Sequence, residues 1–289
     1  FFWYNKLVML IAQISDLHIP RKNTKTYGIA PMAENLVLCM DHMNQHLPKP
    51  HLVLVTGDIT STGRAEEFNH AANLLNRFEM HFYVIPGNHD DRDILRSTFG
   101  KQGCPVESEG KIDYVIEDSD LRLIALDSTL PGSPGGESTE AQASWLDARL
   151  NEKPTQPTMI FMHHPPIKCD VLETDLDGFI GKELLGSVIS KHHHVEKIIC
   201  GHIHVPINTS WNDTVISTAP SMGMQLVLDL TLKRESEFVL EAPAYHLHYW
   251  TPDKNLITHA VVVKPVDGPY LFEEQDVIHS QQPYTLFYP

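Results

Sequence analysis

Val8-Met9-Leu10-Ile11-Ala12-Gln13-Ile14 runs without a break into Ser15-Asp16-Leu17-His18. An apolar run this short suits a strand covered on both faces better than a helix. The polar residues come only after it. Asp16 and His18 stand two apart, so in extended chain both would point the same way.

The same junction recurs along the chain. Leu52-Val53-Leu54-Val55 leads to Gly57-Asp58, and Phe82-Tyr83-Val84-Ile85 to Pro86-Gly87-Asn88-His89-Asp90. Met159 to Met162 is followed by His163-His164-Pro165, and Lys197 to Cys200 by Gly201-His202-Ile203-His204. Helical patterns fill the gaps at Met32 to Leu47 and Ala65 to Arg77, and Thr139 caps another running to about Leu150. Strand and helix taking turns predicts an α/β layered fold. Tyr114 to Glu117 and Arg122 to Leu126 read as a hairpin pair, and Pro131 to Ser138 as a loop. After Gln225 charged and aromatic residues alternate with short β-like runs. That change predicts a catalytic domain over 9–224 and a small β-rich cap or oligomerisation arm over 225–289 packed on it.

In open α/β folds, strands deliver side chains into a shared crevice beyond their carboxyl ends. Five strand ends carrying Asp16, His18, Asp58, Asn88, His163, His202 and His204 therefore predict one site. The glycines before Asp58, Asn88 and His202 permit tight turns and close backbone approach. Imidazole, carboxylate and amide oxygen suit Mn, Fe, Zn or Co better than thiolate-seeking sites do. Seven donors exceed one catalytic ion and fit a bridged pair about 3.5 to 4 Å apart.

The formal net charge is −15. Binding a nucleic acid polymer needs clustered Lys and Arg, so that class is disfavoured, as is an anionic membrane surface. An acidic protein that handles an anionic substrate needs local positive charge, which bound cations supply. Phe1 to Ile14 is apolar but lacks a small-residue cleavage site, and Phe1 to Val8 reads as an extension ahead of a start at Met9. There is no run of about 18 apolar residues, so no membrane span is expected. Cys39, Cys104, Cys169 and Cys200 are far apart. They read as buried thiols of a cytoplasmic protein.

The ordered blocks Asp16-x-His18, Gly57-Asp58, Gly87-Asn88-His89-Asp90, His163 and Gly201-His202-x-His204 resemble the calcineurin-like metallophosphoesterase superfamily. Ile14-Ser15-Asp16, Tyr27-Gly28, Ile85 to Asp91, Phe161 to Pro166 and Leu271 to Gln275 are similar to its bacterial class III cyclic nucleotide phosphodiesterases and glycerophosphodiesterases. The resemblance implies a four-layer αββα sandwich, two divalent ions per chain, and hydrolysis of small phosphodiesters by water that the ions activate. It implies one ion on Asp16, His18, Asp58 and His204, and another on Asp58, Asn88, His163 and His202. It also implies His89 as a catalytic group over the ester, Asp90 orienting it, Asn88 and Tyr27 meeting substrate, and a homo-oligomer. Near Ser217 to Pro220 the glycerophosphodiesterase-like relatives place another His; this chain has Met224.

Other readings stand beside these. Asp90 serves equally as the N-cap of a helix over Arg92 to Phe99, and Tyr27 as a packed aromatic. His164 reads as a supporting histidine and His192-His193-His194 as a solvated turn. A phosphomonoesterase is the nearest rival activity, although the Asp-Arg-Gly of protein phosphatases is missing after Asp58. A non-catalytic scaffold on the same fold would have lost ligands that this chain retains.

Overall fold

The computed structural model describes residues 9–100, 103–104, 110–117, 119–233, 235–267 and 270. Three parallel strands, β1 (Met9–Ile14), β2 (Leu52–Thr56) and β3 (His81–Ile85), form the centre of one sheet. Helices α1 (Met32–Gln45), α2 (Ala65–Leu75) and α3 (Arg92–Phe99) connect them or follow them. The second sheet takes β4 (Tyr114–Ile116), β5 (Arg122–Leu126), β7 (Thr158–Met162), β9 (Val195–Cys200), β10 (Ile207–Trp211) and β11 (Thr214–Thr218). Its order is β10-β11-β9-β7-β5-β4, with β4 and β5 the expected antiparallel pair. Two small pairs flank the sheets: β6 (Gly136–Glu137) with β8 (Phe179–Ile180), and β12 (Met224–Leu226) with β13 (Phe238–Leu240). Helix α4 (Glu140–Glu152), capped by Thr139 as expected, α5 (Leu172–Asp177) and α6 (Lys182–Ile189) complete the elements.

The strands alternate in which layer they feed, as a period of two requires. Leu123, Ala125, Met159, Phe161 and Ile199 join the core shared with β1, β2 and β3. Ile124, Leu126, Ile160, Met162 and Ile198 pack instead against Leu146, Leu150, Leu185 and Ile189 of α4 and α6. With α1, α2 and α3 on the first sheet, the result is helices, sheet, sheet, helices. This is the expected four-layer arrangement.

The segment after Gln225 divides differently from the expected appendage. Strands β14 (Ala244–Trp250) and β15 (Leu256–Val262) extend the first sheet, which runs β15-β14-β1-β2-β3. β14 lies antiparallel to β1, with Ile11 opposite His248 and Gln13 opposite His246. Trp250 and Tyr245 are buried core residues of this sheet. The sequence hides the strand because its inward positions include His246 and His248, both buried. The segment Leu271 to Gln275, read as an arm, lies outside the described residues. Among the described residues, no helix is long and apolar enough to cross a membrane.

A candidate metal centre between the sheets

All the predicted ligand side chains sit just past the carboxyl ends of β1, β2, β3, β7 and β9, and they meet where the two sheets face each other. The route is not extended chain. Asp16, His18, Asp58, His202 and His204 all adopt positive φ, at 54°, 41°, 49°, 71° and 57°. Such backbone costs of order 1–3 kcal/mol per non-glycine residue and persists only where surroundings enforce it. Here the enforcing bonds are visible: Asp16 N–H donates to Gly57 O, His18 N–H to Asp58 O and Ile19 N–H to Ile59 O. Asp16 and His18 therefore converge through successive left-handed turns rather than through a shared strand face.

The side chains come close. Asp58 Oδ2 lies 3.6 Å from His18 Nε2 and 3.4 Å from His163 Nε2. Asp58 Oδ1 accepts from His89 N–H at 2.9 Å. His204 Nε2 lies 3.4 Å from Asp16 Oδ1 and 3.0 Å from His18 Nε2. Asn88 Oδ1 is 3.2 Å from His163 Nε2, and both oxygens of Asp16 accept from His202 N–H at 3.1 Å. Asp16, His18, Asp58 and His163 are almost wholly buried.

Hydrogen bonds on the far side of two rings fix which nitrogen faces the crevice. A carbonyl only accepts, so His163 Nδ1–H donates to Thr56 O and His204 Nδ1–H to Met224 O, each at 2.7 Å. Nε2 of both rings then faces carboxylate oxygens, 3.4 Å away in each case. A nitrogen lone pair against an anion is unfavourable unless a proton or a metal ion is shared between them. Burial pushes His163 down, yet Asp58 outweighs it and raises the ring to about 9. His204 is likewise raised, by Asp16 against burial. Burial also pushes Asp58 up, but His163 and His18 overcome it and hold the carboxylate well below its ordinary range. By contrast, burial lowers His18 and His202 to about 3. Imidazoles, two of them drawing a shared cation toward buried carboxylates, together with an amide oxygen, fit divalent ions that take the place of the protons on His163 and His204.

Glycine makes the convergence possible. A Cβ at Gly87 would overlap Asp58 Oδ1 and its backbone nitrogen, and one at Gly57 would overlap the His163 ring. Gly57 also has φ +92°. Gly87→Ala is therefore expected to push the Asp58 carboxylate out of place and weaken metal binding about 10- to 100-fold, as loss of a ligand's support does. Calorimetric titration with Mn would read this, and wild-type affinity in the variant would disprove it.

The remaining predicted residues are placed as follows. His89 Nδ1–H donates to Ser61 O at 2.9 Å, so Nε2 is the ring's open atom. One of its nitrogens lies within 4.8 Å of ligand atoms of His18 and Asp58. Asp90 does not touch the His89 ring: its carboxylate accepts from Ile59 N–H, Thr60 N–H, Thr60 Oγ1 and Gly87 N–H. Nor does it cap α3; Asp91 does, accepting from Asp93 N–H and Ile94 N–H. A short carboxylate finds the nearest unpaired amides, and for Asp90 these belong to the loop carrying Asp58. Tyr27 is 61% exposed, its ring 5.8 Å from Phe238, with its phenol raised first by burial and then by the charge of Asp58. It is not a packed core aromatic.

His164 has both ring nitrogens engaged, Nδ1 with Ser128 Oγ and Nε2 with Pro134 O, and its ring lies 4.5 Å from that of His202. This agrees with a supporting part. His192 departs from the solvated turn expected of it: it is buried and bonded to Asp147 Oδ1 at 2.9 Å, while His193 is exposed. The partners Thr56 O and Met224 O escaped the sequence reading because every residue carries a carbonyl. The Met224 side chain itself is buried.

The family model for calcineurin-like phosphoesterases matches residues 9–206. A protein of Arcobacter nitrofigilis named as a probable glycerophosphodiester phosphodiesterase is 37% identical over 265 residues, 91% of this chain and 97% of its own. A 3′,5′-cyclic adenosine monophosphate phosphodiesterase of Escherichia coli K12 is 27% identical over 216 residues, 74% of this chain and 76% of its own. Among solved structures, a dimetal phosphatase from Danio rerio superposes with a TM-score of 0.60 at 14% identity. That match covers 89% of this chain and 99% of the other, and shows the fold.

Proposed function

This chain belongs to the calcineurin-like phosphoesterase family, and we propose that it hydrolyses small phosphodiesters with two divalent ions held between its sheets. One observation carries the reading: a single oxygen, Asp58 Oδ2, lies 3.6 Å from His18 Nε2 and 3.4 Å from His163 Nε2, ligands carried by different sheets. A carboxylate so placed suits a bridge. Asp16, His18 and His204 would share one ion with it, and Asn88, His163 and His202 the second. Mn, Fe, Zn and Co all suit this donor set, and supply decides among them. When bound, such ions lower the pKa of water and clamp the phosphate.

The chain's own residues do the rest. Thr56 O and Met224 O hold His163 and His204 as the tautomers whose Nε2 faces the crevice. Ser61 O accepts from His89 Nδ1–H, which turns Nε2 toward the site; in its doubly protonated form the ring would donate from Nε2 to a phosphoryl oxygen or to the departing alkoxide. Asp90 ties the loop before His89 to the loop of Asp58, which makes it a positioning residue. Asn88 and the exposed Tyr27 face the place a diester would enter.

The four cysteines are unpaired, which supports a reducing, cytoplasmic setting. Exposed Leu228, Leu230, Val239 and Leu240 support a homo-oligomer, and a monomer by light scattering would remove that reading.

The direct test is a rate panel on reconstituted protein, with bis(p-nitrophenyl) phosphate, p-nitrophenyl phosphate, 3′,5′-cyclic AMP and glycerophosphoethanolamine as substrates. Diesters should turn over faster than the monoester with at least one of the four metals, and the cyclic-to-glycerol ratio identifies the subgroup. Preference for the monoester would overturn the diesterase assignment while leaving the metal centre intact. The relatives named for glycerophosphodiesters and for cyclic AMP support testing both classes.

A further inference from the structure

Gln13 stands on β1 three residues before Asp16, wholly buried in the seam between the sheets. Burying a primary amide costs a few kcal/mol unless its donors and acceptor are met. All are. Nε2 donates to Thr56 Oγ1 and to Cys200 O, each at 3.0 Å, and Oε1 lies 3.0 Å from His248 Nε2.

Elementary chemistry orients the whole chain of bonds. Cys200 O only accepts, so the nitrogen of Gln13 faces it and the oxygen faces His248. His248 therefore carries its hydrogen on Nε2, and its Nδ1 accepts from Thr258 Oγ1 at 2.9 Å. Lys197 Nζ donates to Thr258 Oγ1 at 2.6 Å. At the other end Thr56 Oγ1 passes its own hydrogen to Ile14 O.

The two partners of the Gln13 amide nitrogen matter for where they lie. Thr56 is two residues before Asp58, and Cys200 two before His202. The carbonyl of that same Thr56 accepts from His163 Nδ1. One amide thus spans the ends of β2 and β9, and through Thr56 it reaches β7. These are the three strands that supply Asp58, His202 and His163, drawn from opposite sheets.

We infer that Gln13 is a positioning residue for the metal centre, with His248 holding it in register. It sets the separation of the two sheets where the carboxylate of one must meet the imidazoles of the other. This rests on the metal-centre reading above, and it adds a residue that carries no ligand atom.

The test uses the full chain, stripped and reloaded with Co(II). Calorimetry gives affinity, the visible spectrum of bound cobalt reports ligand geometry, and the urea midpoint of the stripped protein reports folding. Gln13→Met keeps length and apolar contact while removing the hydrogen bonds. His248→Gln keeps a donor toward Gln13 Oε1, and His248→Leu removes it. Ile11→Val, on the same strand, is the packing control.

Gln13→Met is expected to weaken cobalt binding about 10- to 100-fold and to alter the spectrum, the usual effect of losing an outer support of a metal site. His248→Leu should do the same and His248→Gln should restore wild-type behaviour, while Ile11→Val moves only the urea midpoint. Wild-type affinity and spectrum in Gln13→Met would overturn the inference. So would an equal effect from Ile11→Val. Should Gln13→Met fail to fold, the histidine pair decides: identical behaviour of His248→Gln and His248→Leu overturns it. A wild-type protein that binds no cobalt would refute the metal-centre reading itself, a result distinct from all of these.

Discussion

Asp58→Ala is expected to release both ions and to abolish turnover while the protein stays folded. Among the described residues, no other carboxylate oxygen lies within 4 Å of two imidazoles, as Asp58 Oδ2 does with His18 and His163. Without it, each ion keeps only three of its proposed ligands and the positive charges lose the anion between them. A bound metal supplies several kcal/mol of transition-state stabilisation, so kcat on bis(p-nitrophenyl) phosphate should fall by more than about three orders of magnitude. Metal content by plasma mass spectrometry should fall with it. A variant that kept both ions at stoichiometry would show that Asp58 is not the bridge.

His89→Ala separates chemistry from metal binding. The His89 ring is fixed at Nδ1 by Ser61 O and reaches toward His18 and Asp58 with Nε2 free. A positioned proton donor is worth about 10²- to 10⁴-fold in rate. The variant should therefore lose that factor in kcat while its metal content matches wild type. Substrates with poorer leaving groups should suffer more, because they depend most on a proton delivered to the departing oxygen. A uniform loss across leaving groups would mean that His89 serves only a non-bridging oxygen. A rate within a few-fold of wild type would end its catalytic role.

Much of this site is legible in the sequence, and the reasons are specific. Ligand-bearing residues stand at the ends of short apolar strands, and parallel strands of an α/β fold aim those ends at one edge. Gly57, Gly87 and Gly201 mark where backbones and side chains must nearly touch, and added Cβ atoms there would overlap the site. What could not be read is equally physical. Left-handed backbone at Asp16, His18, Asp58, His202 and His204 suits residue types that tolerate positive φ, but the neighbouring loops that impose it are not written in the local sequence. Extended chain would put Asp16 and His18 on one face; positive φ at both brings them together by another route. Neither the role the resemblance implies for Asp90 nor the N-cap its place before α3 suggests is the one it takes, because the amides that need its carboxylate, those of Ile59 and Thr60, lie 31 and 30 residues away in sequence. β14 reads as part of an appendage because buried polar side chains such as His248 look like surface in the sequence, where their partners do not show.

That last strand has a consequence for how the protein is made. β1, the first described strand, pairs with β14 across more than two hundred residues of intervening chain. While the ribosome is still translating the middle of the message, β2 can already cover one side of β1. The other side, with its row of amides and carbonyls, must wait for the stretch ending at Trp250. An unpaired edge of this kind templates association with other chains, and such long-range pairing is slow to form. Nascent copies of this protein therefore spend most of their synthesis with that edge open, the interval in which a chaperone's cover would matter most.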